Sequence, residues 1–118
     1  MNKDSVNKIE LSKAHELGEL VQYAPGAVVS REIVNKGIGT LTVFAFDAGQ
    51  GISEHSAPFD AIVQVLDGKS DWTIGEEEVT CSAGEIMIMP ANIPHAVKAP
   101  EQFKMLLTMI KVKEEKGN

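Results

Sequence analysis

Cysteine is almost absent from this chain: its 118 residues include one, Cys81, which excludes an intrachain disulfide framework and any multi-cysteine zinc ribbon. Positive charge is scarce as well, with eleven Lys and Arg against seventeen Asp and Glu and a formal net charge of −6. An acidic chain with no basic stripe offers little to a phosphate backbone or an anionic bilayer, so neither nucleic acid nor membrane is an expected partner. No apolar run approaches the roughly 20 residues that a membrane-spanning helix needs; the best is Met105-Leu106-Leu107 and its continuation through Ile110. The polar start Met1-Asn2-Lys3-Asp4-Ser5 lacks the apolar core of a secretory signal, and the expected compartment is the cytoplasm. Also missing are a nucleotide-binding glycine loop, a nucleophile elbow and a recognisable carboxylate pair; Gly37-Ile38-Gly39 leads into a strand without a third glycine.

What is present is 43% hydrophobic residues with 10 Gly and 5 Pro, enough for one globular domain that buries roughly two-thirds of its unfolded surface. Three segments are expected: residues 1–25, 26–112 and a polar tail over 113–118. In the first, Ser12 as a cap and Ala14, Leu17 and Val21 at helical spacing predict one short helix ending before Pro25-Gly26, weakened by Gly18 and dependent on packing against the body. From Val28 onward, short runs rich in Val, Ile, Thr and Phe predict strands over Val28–Val34, Thr40–Asp47, Ala61–Leu66, Asp71–Ile74, Glu78–Cys81, Ile86–Met89, His95–Lys98 and Phe103–Val112. Breaks every 8–12 residues or so, with no helical pattern between them, point to an all-β sandwich or barrel. Leu41–Phe46 and Met105–Ile110 are apolar on nearly every residue, so both faces of these strands must be covered, the outer one by a second sheet or a second subunit; a homodimer is expected.

Two segments hold Gly, Pro and His at fixed offsets. The first runs from Gly49 through His55 to Gly68, the second from Gly84 through Pro90 and Asn92 to His95. In this the chain resembles the cupin superfamily of small jelly-roll barrels. That family's first motif is Gly, five residues, His, one residue, His, three or four residues, Glu, six residues, Gly; its second is Gly, five residues, Pro, one residue, Gly, two residues, His, three residues, Asn. Gly49, His55, Gly68, Gly84, Pro90 and His95 match, while Ala57 and Ala61 replace the second His and the Glu, Asn92 the second Gly, and Ala99 the Asn. The resemblance covers residues 26–112 and implies an all-β, RmlC-like jelly-roll barrel. In metal-bearing members three His and the Glu converge on one cation, so the resemblance implies a divalent ion (Fe, Ni, Mn or Zn) at His55 and His95, with two of the four ligands missing.

Within a strand Ala61 shares a face with Val63 and Val65. If the family's Glu points inward, Ala61 does too, and the two alanines open volume beside the imidazoles: a cavity holding His55 and His95, with Ala57 and Ala61 at its wall. His55 and His95 read either as metal ligands completed by water, Cys81, Gln64 or Glu54, or as hydrogen-bonding groups in a ligand pocket; two imidazoles alone hold zinc weakly. Asp60 could replace the missing Glu only through a bulge. Cys81 reads as a buried structural thiol and His15 as outside the site. Met87, Met89, Met105 and Met109 read as core, or as a flexible apolar lining. Asn92 tolerates the left-handed backbone of the family's glycine.

The reading that follows is a barrel whose pocket around His55 and His95 binds a small molecule, with or without a weak, degenerate divalent-metal site. The alternatives are a metal-dependent enzyme of dioxygenase or isomerase type, and a metal-free isomerase or epimerase with His55 or His95 as general base.

Overall fold

A computed structural model describes residues 9–112. Nine strands follow one 3₁₀ turn at Leu17–Glu19: β1 Val28–Lys36, β2 Gly39–Phe46, β3 Gly51–His55, β4 Phe59–Asp67, β5 Lys69–Ile74, β6 Glu77–Ser82, β7 Ile86–Met89, β8 His95–Lys98 and β9 Phe103–Lys111. They form two antiparallel sheets, ordered β1-β2-β9-β4-β7 and β3-β8-β5-β6. Eight of these strands coincide with those expected; β3 is additional. Among the described residues no helix is long and apolar enough to cross a membrane.

The strand alternation sorts side chains as a two-period backbone must. On β4, Ala61, Val63 and Val65 are buried, whereas Ile62 and Leu66 are half-buried and Gln64 is exposed. The inward rows of the two sheets meet in a core that includes Phe46, Val63, Trp72, Val97, Phe103 and Met105. Phe46 and Phe103 stack at its centre, with ring centroids 4.5 Å apart and planes 10° from parallel. Ser70 is fully buried: its Oγ accepts the Trp72 indole N–H at 2.8 Å and donates to the Cys81 carbonyl at 2.9 Å. Both polar atoms are thereby satisfied inside the core, as burial demands.

Residues 9–23 form no α-helix, which corrects the sequence expectation. Ser12 lies at φ 63°, a left-handed value outside any helix start, and Ala14 is exposed. The segment runs instead as a strap over the outer face of the five-stranded sheet, where Leu17, Leu20, Val21 and Tyr23 pack with Ile33, Val43, Ala45 and Leu106. Tertiary contacts replace the intrahelical ones: Lys104 Nζ donates to the Gly18 carbonyl at 2.6 Å and lies 5.1 Å from the Tyr23 ring centroid, and Arg31 donates to the Leu20 carbonyl. The cover that β2 and β9 require thus comes largely from the chain's own strap. The outer face left bare lies at the edge strand β7, where Ile86 and Ile88 are each 62% exposed. The expected tail over residues 113–118 falls outside the described residues.

Tyr23 closes the strap by donating to Asp67 Oδ2 at 2.5 Å. Burial above all, then the hydrogen bond and charge of Asp67 and the charge of Glu101, push its phenol far above the ordinary range. A group whose folded pKa is raised stabilises the fold fully below its unfolded pKa, about 10 for tyrosine, and that contribution is lost as pH rises further. Because Tyr23 is the sole tyrosine, absorbance at 295 nm across an alkaline titration reads it directly. Ionisation is expected only together with unfolding; a simple titration of folded protein near pH 10 would contradict the strap geometry.

Candidate functional site

The two motifs meet because their loops are bonded to each other. Asn92 N–H donates to the Ala57 carbonyl at 2.8 Å, and Ala91 N–H donates to Asp60 Oδ1 at 2.9 Å. The motif glycines Gly49, Gly68 and Gly84 take φ values of 87°, 72° and 89°, and Asn92 takes 67°. All four are turn positions in the left-handed region, where a β-carbon is strained and Asn is among the few tolerated substitutes.

His55 and His95 face each other across the β3–β8 pair, with ring centroids 4.4 Å apart at 64°. A bulge is responsible. Ile52 opposes Val97 and His55 opposes His95, so three steps on β3 match two on β8. Without the extra residue, Ile52 and His55 would point to opposite faces; with it, both reach the same cavity.

That cavity has a volume of about 90 Å³ and lies between the sheets. It brings together His55, Ala57, Ala61 and His95, the four positions singled out in the sequence, with Phe44, Phe59, Trp72, Met89, Met105 and Met109. Ala61, Met89 and Met105 are buried, whereas His95 is half-buried and His55 exposed, so the imidazoles stand at the mouth and the apolar side chains at the closed end. Three of the four late methionines line the space; Met87 packs against the core beside it. Sequence reasoning missed Phe44 and Phe59 and could not place Trp72 at the cavity, because none of the three carries a motif signature and their positions follow from strand pairing.

Each imidazole is oriented by the chain itself. His55 Nδ1–H donates to the Ser53 carbonyl at 2.9 Å, and His95 Nδ1–H donates to the Ile93 carbonyl at 3.1 Å. A carbonyl can only accept, so each ring carries a proton on Nδ1, and Nε2 is the nitrogen that a neutral ring leaves as an acceptor. Among the described residues neither Nε2 has a protein partner.

Such an Nδ1–H bond also orients metal-ligating histidines, but the donor set falls short of a resident ion. No three His, Cys, Asp or Glu residues gather among the described residues. Ala57 and Ala61 occupy the positions of the two absent ligands. Of the sequence candidates, Cys81 lies in the core with its thiol pushed up by burial and by Glu85, Gln64 and Glu54 are exposed, and Asp60 holds the Ala91 N–H. Two imidazoles do not supply the three or four protein ligands of a stable zinc-like site. His15 is exposed, with its ring Nε2 bonded to the Glu10 carbonyl, and takes no part.

A model of the cupin domain family matches residues 42–111. Among solved structures, a conserved protein of unknown function from Streptococcus pyogenes is 39% identical, with 92% of this chain and 95% of that chain covered and a TM-score of 0.86. A cupin 2 conserved barrel domain protein from Leptotrichia buccalis is 40% identical over 80% of this chain and 46% of that one, with a TM-score of 0.78. A cupin superfamily protein from Desulfitobacterium hafniense, 21% identical with a TM-score of 0.83 over 90% of this chain and 96% of that one, shares the fold. No curated protein matches the chain.

Proposed function

We propose, from the premise that this chain belongs to the cupin domain family, that its barrel binds one small, largely apolar organic molecule without help from a resident metal ion. The observation that carries this reading is the composition of the cavity wall: beside two imidazoles it consists of aliphatic, aromatic and methionine side chains, with no Asp, Glu, Lys or Arg. Such a wall gains by excluding water and loses by admitting an unpaired charge. At about 90 Å³ the space is smaller than the 150 Å³ or so in which an engineered apolar cavity holds benzene, so a ligand of that size would fill it and extend into the mouth.

Trp72 is the only tryptophan and lines the cavity, which makes its fluorescence a direct reporter. Titrating the full chain with toluene is expected to shift Trp72 emission along a saturable curve. Ala61→Val should weaken that response at least fivefold while raising the unfolding free energy by about 0.5–1.5 kcal/mol, the usual gain of filling an apolar space. A response that is linear in toluene and indifferent to the substitution would remove the reading.

The second reading, a divalent ion and metal-dependent chemistry, draws on the two unshared Nε2 lone pairs. Elemental analysis separates the two. Iron, nickel, manganese and zinc far below one per chain are expected, whereas a stoichiometric ion that disappears with either histidine would establish the metal reading.

A further inference from the structure

We infer that the ligand is a neutral molecule whose polar end donates a hydrogen bond, of the phenol or small-alcohol class, rather than a carboxylate, a phosphate or a sugar. The inference rests on the reading of the cavity as a small-molecule pocket and goes further by accounting for each polar atom in its wall. The first is Trp72 Nε1–H, which is already spent on the buried Ser70 hydroxyl, so the indole presents only its ring. The two Nδ1–H groups are spent on the Ser53 and Ile93 carbonyls. What the neutral rings leave to a ligand is two acceptors, Nε2 of His55 and Nε2 of His95, on rings 4.4 Å apart.

An anion would meet no permanently charged partner, since the wall holds neither Lys nor Arg. A polyol would strand most of its hydroxyls against Phe, Met and Leu side chains, and each buried unpaired polar group is costly. A hydroxyl on a compact apolar body satisfies the site with one donated bond, and its hydrogen can be shared between two acceptors. The pairing of β3 with β8 through the bulge sets the rings side by side at the mouth, so this preference is built into the fold and needs no loop closure.

The test is calorimetric titration of the full chain with three probes of one shape: phenol, fluorobenzene, which lacks the donor, and benzoate, which carries the charge. Phenol is expected to bind about tenfold more tightly than fluorobenzene, the size of one well-made hydrogen bond, with benzoate weakest. In the double variant His55→Phe/His95→Phe, which removes both acceptors, the advantage of phenol should fall to within twofold. Nitrogen-15 shifts of the imidazoles in the unliganded chain, which require no variant, should place the proton on Nδ1 of both rings. Equal affinity for phenol and fluorobenzene, tightest binding of benzoate, or rings protonated on Nε2 would overturn the inference; the first of these would leave the apolar pocket standing. Binding of none of the three probes would overturn the pocket itself, and the inference with it.

Discussion

Alanine at position 68 is expected to cost about 4 kcal/mol of unfolding free energy, from the sum of a left-handed backbone penalty and an overpacking penalty. Gly68 joins β4 to β5 at φ 72°. A methyl group there would press into the Gln102 carbonyl oxygen and come within 3.0 Å of the Phe103 β-carbon. The Gln102 carbonyl belongs to the chain entering β9, a backbone strand that cannot step aside as a flexible side chain could. Gly49 supplies the internal control. Its φ is 87°, yet nothing lies within 4 Å of where its methyl would be, so Gly49→Ala should cost only the backbone strain, about 1 kcal/mol. Urea unfolding of both variants measures the contrast. Equal costs would mean that the approach to Gln102 relaxes freely and that conformation alone explains the motif glycines.

The second large effect is expected at Phe103. Its ring is fully buried and stacked on the equally buried Phe46, so Phe103→Ala removes a large piece of apolar volume from the core between the two sheets. A loss of about 3–5 kcal/mol is the usual range for emptying such a position, transfer and cavity contributions together. Phe103→Leu restores most of the volume and should recover at least half of that loss. Neither Phe46 nor Phe103 lines the cavity beside His55 and His95, so under the proposed function the leucine variant should answer toluene through Trp72 as the parent does. A leucine variant as unstable as the alanine one would show that ring geometry, and not filled volume, is what the core demands there.

Much of the barrel could be read from residue pattern because its strands keep their alternation. Ala61, Val63 and Val65 point inward as a two-residue period requires, and the motif offsets locate His55, Ala57, Ala61 and His95 with no knowledge of pairing. The failures have physical causes. Gly51–His55 reads as a loop because Ser53 and Glu54 are polar and the bulge interrupts the period. Leu17 and Val21 are compatible with a helix, but their apolar contacts are satisfied one at a time on the outer face of a sheet, and Lys104 takes the Gly18 carbonyl for itself. The cavity's chemistry was legible only in part. That two histidines remain was plain, but which ring nitrogen each leaves open depends on the Ser53 and Ile93 carbonyls. Those bonds join residues two apart and leave no mark in a pattern of residue types.

The position of β9 governs the order in which the molecule can assemble. It lies at the centre of the five-stranded sheet, between β2 and β4, yet comes later in the chain than every other described strand. The strap that covers this sheet meets it through partners as far apart as Gly18 and Lys104, 86 residues distant in sequence. Hairpins such as β1–β2 and β5–β6 close locally and early, but the larger sheet stays in two halves until β9 arrives between them. On a ribosome, where chain emerges at about 5–20 residues per second, the edges of β2 and β4 that β9 will pair with stand open for seconds. A barrel dominated by such distant pairings belongs among the slower-folding topologies, and its most vulnerable moment comes just before that central strand is made.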